Sequence, residues 1–136
     1  MFGNIRKNGA ERAGVDGALG EHHLMELYSC GRQIDDQEVV QRVTVEGARR
    51  AGATVVGSHF HKFAPQGVSG VVILAESHFA VHTWPEHGFV AVDLFGCSDK
   101  LDVGACFDFV ADELGAQSRE WIVVPRGERD AIARHR

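Results

Sequence analysis

The residues of this chain that are best suited to chemistry lie between His61 and Asp99. Hydroxyl, carboxyl, imidazole and thiol side chains alternate there with apolar runs that are typical of strands. The candidates are Ser69, Glu76, Ser77, His78, His82, Glu86 and Cys97. Their spacing is too specific for the ordinary polar positions of a sheet, so we expect a functional site that is carried on strands.

Two of these residues are unusual for their positions. Ser77 has no G-x-S-x-G frame around it, so the nucleophile elbow of an α/β-hydrolase is not expected. From spacing alone, an ordinary serine at a strand end is the simpler interpretation. His82 interrupts an apolar strand, and burying an imidazole without a partner costs roughly 1 to 3 kcal/mol. It is therefore either a core histidine with a hydrogen-bond partner or part of a site.

Metal binding is an alternative because imidazoles are numerous. His59 and His61 point to one face of a predicted strand, and His78 and His82 also share a face. Three further histidines are available: His22, His23 and His87. A cupin-like metal module is possible on this basis, but no acidic third ligand is evident, and we expect no metal.

The three cysteines differ in their surroundings. Cys97 follows Gly96 at a strand end, which suits an exposed thiol in a cleft. Cys106 lies on an apolar helix stripe and is most simply part of the core, whereas Cys30 has no decisive interpretation. An odd number of cysteines and the absence of a signal-like apolar run in residues 1–20 favour a cytoplasmic protein with reduced thiols.

Length and charge narrow the class of protein. A chain of 136 residues forms one domain that buries roughly two-thirds of its unfolded surface. The net charge of -5 argues against a nucleic-acid partner, and no apolar run approaches the roughly 20 residues of a membrane span. We expect flexible tails at 1–20 and 126–136 around a single domain at 21–125.

Hydrophobic patterning predicts an α+β fold. Asp35-Asp36 and Asp102 offer N-caps for two helices, which end at Gly52 and Gly115. Strands are predicted at 21–30, 54–63, 68–75, 79–83, 89–95 and 121–124. The strand at 68–75 is nearly all apolar and is expected to be buried on both faces. This order favours a two-layer sandwich, with an antiparallel or mixed sheet and both helices on one face.

Three segments carry a resemblance to a known family: HKFAPQGVSGVV from His61, AESHFAVHTWPEHGF from Ala75 and AVDLFGC from Ala91. They resemble the short bacterial and archaeal class of S-adenosylmethionine decarboxylase proenzymes, which are pyruvoyl-dependent enzymes of polyamine synthesis. The resemblance runs from about Glu21 to Gly127 and keeps the spacing of the family's motifs without gaps.

This resemblance implies that the chain cuts itself between Glu76 and Ser77. The Ser77 hydroxyl would attack the Glu76 carbonyl to form an ester, and elimination followed by hydrolysis would leave a pyruvoyl group in place of Ser77. The products would be a β chain, 1–76, and an α chain, 77–136. His82 matches the family's processing histidine, and Ser69 matches the serine that hydrogen-bonds the intermediate.

The resemblance also implies how substrate is bound and decarboxylated. The substrate amine would form a Schiff base with the pyruvoyl carbonyl, and Cys97 matches the proton donor to the resulting carbanion. Phe63 and Trp84 match the aromatic residues that sandwich adenine, and Glu86 matches the carboxylate that holds the ribose. The family implies a homodimer of αβ units whose interface could complete each active site.

The chain departs from the family at positions that border the site. Gly96 and Ser98 flank Cys97 where threonine and glycine are usual, and Ala75 replaces a serine. Residues 21–23 read Glu-His-His where the family opens with Gly-Arg-His. Pyruvoyl-dependent decarboxylation of ornithine or arginine is therefore an alternative, and a regulatory module that does not process itself is a further one.

Overall fold

The structure, a computed structural model, describes residues 18–96, 99–130 and 132–135. Its centre is a single sheet in which every strand pairs antiparallel with its neighbours. In chain order the six strands are β1 Gly20–Tyr28, β2 Val55–Lys62, β3 Val68–Leu74, β4 His78–Trp84, β5 Phe89–Gly96 and β6 Ser118–Arg126. Their order across the sheet is β2-β3-β4-β5-β1-β6. Of the two alternatives that the sequence left open, an antiparallel or a mixed sheet, the antiparallel sheet is correct.

Both predicted helices are present and begin where their caps indicate. Helix α1 spans Gln37–Arg50, and the Asp36 side chain accepts hydrogen bonds from the first backbone N–H groups of that helix. Helix α2 spans Val103–Glu113, and the Asp102 carboxylate accepts one from the N–H of Ala105. These side chains satisfy donors that have no partner inside the helix.

One hydrophobic core lies between the helices and one face of the sheet. Alternate strand residues point into it, as the period of a strand requires. On β5 the buried apolar side chains are Val90, Val92 and Leu94. Cys106 is fully buried on the apolar stripe of α2, so its assignment to the core is also confirmed. The result is an α+β two-layer sandwich.

No helix among the described residues covers the opposite face of the sheet, which we call the open face. It is formed by the alternate residues of each strand that point away from the helices. The expectation that β3 is buried on both faces is wrong, because its Ile73 is 45% exposed. An apolar run indicates burial on both sides only if a second layer exists, and this chain supplies a layer on one side.

Strand pairing runs slightly beyond the expected domain limits. The N–H of Leu19 donates to the carbonyl of Arg126, so the two ends of the domain are hydrogen-bonded to each other. Residues 1–17 of the expected amino-terminal tail lie outside the described residues, and a short 3-10 turn occurs at Ala133–His135. None of the described helices combines the length and the hydropathy needed to cross a bilayer.

The close contact between the two helices depends on a glycine. A Cβ atom on Gly47 of α1 would lie 2.7 Å from Cγ2 of Val110 and 3.3 Å from Sγ of Cys106. Replacing Gly47 with valine should therefore lower the free energy of unfolding by about 1 to 3 kcal/mol through overpacking.

Chemical denaturation of a Ser77→Ala chain, which keeps one covalent form, would measure this effect. Gly57→Val is the matched control, since a Cβ at Gly57 meets no atom within 4 Å. Equal losses of stability in the two variants would contradict the packing argument.

Candidate active site

The predicted cleavage bond lies in a tight hairpin between β3 and β4. Leu74 and Ser77 exchange both backbone hydrogen bonds, at 2.8 and 3.1 Å, which leaves only Ala75 and Glu76 in the loop. Thr54, just before β2, ties this loop down: its carbonyl accepts from the N–H of Ala75, and its N–H donates to Glu76 Oε1 at 3.1 Å. The bond between Glu76 and Ser77 is thus held at one end of the sheet.

Ser77 is half-buried and has an imidazole beside its hydroxyl. Its Oγ lies 3.5 Å from Nδ1 of His78. Its Cβ lies 4.0 Å from where a Cβ on Gly96 would be, at the end of β5. Cys97, the expected proton donor, is the next residue after Gly96 and lies outside the described residues.

Ser69 and His82 form a direct pair on the open face. They face each other across β3 and β4, and Ser69 Oγ lies 2.8 Å from Nδ1 of His82. His82 is exposed, so the alternative of a core histidine is wrong. The sheet period places this imidazole on the side that the helices do not cover.

The expected substrate residues meet at the same place. One pocket is lined by Phe63, Gln66, Gly67, Ser69, His82, Thr83, Trp84 and Glu86. Phe63 and Trp84 are 45% and 41% exposed, so both aromatic rings are accessible and neither is buried in the core. Five of the residues singled out by sequence therefore converge on one pocket, although they come from the ends of β2, β3 and β4.

The turn that carries Phe63 is anchored from outside the sheet. Asp35 accepts a hydrogen bond from the N–H of Gly67 at 2.8 Å and contacts Nζ of Lys62 at 3.1 Å. The hydrogen bond from Gly67, followed by the interaction with Lys62, lowers the pKa of Asp35. The N–H of Phe63 also donates to the carbonyl of Gly67. These bonds fix the aromatic ring at the mouth of the pocket.

The sequence did not indicate that the Trp84 ring also contacts aromatic residues outside this pocket. Its ring lies 5.4 Å from that of Phe89, which in turn lies 5.5 Å from Tyr28. Tyr28 donates a hydrogen bond to Glu120 at 2.7 Å, and this bond is the main reason that its pKa rises to about 12. These residues lie on three strands that are distant in sequence, so no local pattern could have grouped them.

The pocket and the cleavage loop lie at opposite ends of β4. Ser77 and His82 are five positions apart, which corresponds to roughly 16 Å along an extended strand at ~3.3 Å per residue. A single subunit therefore does not bring the processing pair Ser69 and His82 into contact with Ser77.

The structure gathers a different set of side chains from the histidine pairs that the metal alternative invoked. His59 and His61 lie on β2 at the edge of the sheet. Within the described ranges, the group with ligand atoms close enough for a metal is His22, His78 and Asp93, whose atoms lie within 4.8 Å of one another. The alternation of β5 places Asp93 on the open face, and its two histidine neighbours come from β1 and β4, so the grouping depends on strand order.

Comparison with known proteins agrees with the fold and with the motifs. The structure resembles the crystal structure of the adenosylmethionine decarboxylase from Aquifex aeolicus VF5, with a TM-score of 0.74, 35% sequence identity, and coverage of 82% of this chain and 92% of that chain. A family model described as S-adenosylmethionine decarboxylase matches residues 21–127.

Curated relatives carry the same name. The S-adenosylmethionine decarboxylase proenzyme of Geobacillus sp. (strain WCH70) is 46% identical over 112 residues, which cover 82% of this chain and 90% of the relative. That of Bacillus cytotoxicus is 44% identical over 110 residues, covering 80% and 85% respectively. The fold and the matches define a decarboxylase of the carboxy-lyase class. The chain belongs to the S-adenosylmethionine decarboxylase family.

Proposed function

We propose that this chain cleaves itself between Glu76 and Ser77 and then decarboxylates S-adenosylmethionine, which supplies the aminopropyl donor for spermidine synthesis. The observation that carries the proposal is the convergence of Phe63, Trp84 and Glu86 with the Ser69–His82 pair on one pocket. Ornithine and arginine lack an adenosyl group that could stack on these two exposed aromatic rings.

The residues at the cleavage loop fit the formation of a pyruvoyl group. A serine hydroxyl is a weak nucleophile unless a neighbouring base takes its proton, and Ser77 has an imidazole within 3.5 Å. Attack on the preceding carbonyl converts the amide to an ester, and elimination and hydrolysis then release the β chain. When present, the pyruvoyl group supplies a carbonyl that accepts the electrons left by carbon dioxide.

The pocket offers complementary chemistry to each part of the substrate. Phe63 and Trp84 present ring faces that can stack on adenine, and aromatic faces also attract a sulfonium cation. Glu86 places a carboxylate beside them as an acceptor for the ribose hydroxyls. Cys97 remains the proposed proton donor, because it directly follows Gly96, where a Cβ atom would lie 4.0 Å from Cβ of Ser77.

We further propose that the active unit is a homodimer of αβ subunits joined through the open face. Ser77 lies roughly 16 Å from His82 of the same subunit, as the rise along a strand requires. A second copy that covers the open face would bring its own Ser69–His82 pair and substrate pocket to Ser77. It would also cover Ile73 and Trp84, which are 45% and 41% exposed.

Self-cleavage predicts two fragments of defined mass. Purified wild-type protein should contain a fragment that ends at Glu76 and a second fragment whose first residue is a pyruvoyl group, whereas Ser77→Ala should stay whole because it cannot form the ester. Intact-mass spectrometry measures both. A wild-type chain that remained single and unmodified after prolonged incubation would remove the decarboxylase proposal.

If His82 of the partner subunit acts on Ser77, two variants that are inactive alone should complement each other. Ser77→Ala and His82→Ala should each remain uncleaved alone. When they are co-expressed with different mass tags, the His82→Ala chain should be cleaved in mixed dimers. The matched control pairs His82→Ala with the double variant Ser77→Ala/His82→Ala, which brings no histidine. Absence of cleavage in isolated mixed dimers would refute the shared site.

Substrate identity is tested at Trp84. Removing a ring that stacks on a base costs roughly 1 to 3 kcal/mol, so Trp84→Ala should raise KM for S-adenosylmethionine about 10- to 100-fold. Release of carbon dioxide from S-adenosylmethionine, ornithine and arginine at equal concentration provides the comparison. A wild-type preference for either amino acid would overturn the substrate while leaving the self-cleavage chemistry intact.

A further inference from the structure

A chain of polar side chains crosses four strands of the open face and ends at Ser77. Arg126 on β6 places Nη1 3.1 Å from Nδ1 of His22 on β1. Nε2 of His22 lies 3.3 Å from Oδ1 of Asp93 on β5, and Nε2 of His78 on β4 lies 3.6 Å from the same oxygen. Nδ1 of His78 then faces the Ser77 hydroxyl at 3.5 Å.

The first link fixes the position of one proton. Arginine can only donate hydrogen bonds, so Nδ1 of His22 must accept from Arg126, and the proton of the neutral ring is on Nε2. That nitrogen lies 3.3 Å from Oδ1 of Asp93, but the geometry does not make a hydrogen bond between them. Two imidazoles and a carboxylate have the composition of a metal site, but a metal would need the lone pair of His22 Nε2, which this tautomer does not provide.

The same reasoning fixes the tautomer of His78. An ionised Asp93 carboxylate only accepts, so it favours the proton of His78 on Nε2, which faces it. The lone pair on Nδ1 is then directed at the Ser77 hydroxyl. Separations of 3.5 and 3.6 Å are long for hydrogen bonds, and such contacts tighten when a proton moves and charge develops.

We propose that His78 is the general base that takes the hydroxyl proton of Ser77 during self-cleavage, and that Asp93 is the positioning residue that holds His78 in the required tautomer. This proposal rests on the proposed function. It assigns the first proton transfer to a residue of the same subunit, and it leaves the proton transfers of the later elimination to His82 of the partner subunit.

The step is an isomerisation in which no atom is gained or lost. Nδ1 of His78 takes the proton from Ser77 Oγ while Oγ bonds to the carbonyl carbon of Glu76. The C–N bond between Glu76 and Ser77 then breaks, and its nitrogen receives the proton back from Nδ1. The products are an ester between Glu76 and Oγ and a free amino group on Ser77. Asp93 stabilises the imidazolium that exists between the two transfers.

The test is the cleavage rate of full-length precursor in pulse-labelled cell-free translation. His78→Gln and His78→Ala should cleave on the order of 100-fold more slowly, which is the usual contribution of a general base. Asp93→Asn should be slower by about 10-fold or more, since it keeps the shape but not the charge. His59→Ala, an exposed histidine on β2, is the matched control and should cleave at the wild-type rate.

Two further measurements separate the proposed roles from structural ones. Added imidazole should restore part of the cleavage of His78→Ala but not that of His78→Ala/Asp93→Asn, because the added base needs the same carboxylate. Hydroxylamine should not cut His78→Ala at residue 76, since no ester forms without the base. Thermal denaturation and circular dichroism establish that each variant is folded.

The outcomes also distinguish this proposal from the proposed function. If wild-type protein does not cleave, the function itself fails. If wild type cleaves and the folded His78 variants cleave equally fast, or if hydroxylamine releases an ester from them, only the role of His78 is overturned. Wild-type cleavage that stops when EDTA is added would show that the cluster acts through a metal instead.

Discussion

The rest of the structure depends on the helices covering only one face of the sheet. Helices α1 and α2 bury one set of alternate strand residues, and the other set is left on the open face, which carries the chemical groups. Ser69, His82, Trp84, His78 and Asp93 all lie there because each strand alternates its side chains. One face thus provides stability while the other is free for catalysis and for a second subunit.

The geometry of β4 separates two functions along one strand. At its start, the hairpin at Ala75 and Glu76 holds the scissile bond and places Ser77 beside an imidazole. At its end, Trp84 and Glu86 line the pocket that we propose for substrate. Because a strand is rigid and extended, these ends cannot meet within one subunit. The proposed dimer would bring a pocket to the cleavage loop and would cover the exposed apolar residues of the open face.

Two of the positions that depart from the expected family motifs can be located in the structure. Gly96 replaces the threonine that is usual in the family, and its position beside Cβ of Ser77 leaves room at the cleavage loop. His22, which departs from the family's opening motif, pairs with Arg126 and faces Asp93.

Local sequence determined the elements and most of the candidate residues. Helix caps at Asp36 and Asp102, the alternation in β5 and the spacing of Ser77, His82 and Trp84 all depend on neighbours within a few positions, so they can be read directly. Tertiary structure alone decided that β3 has an exposed face and that His22, Asp93 and Arg126 meet. Those relations depend on strand order and on which face the helices cover, and they join residues up to 104 positions apart. No local pattern carries that information, because pairing between distant strands is set by the packing of the whole sheet.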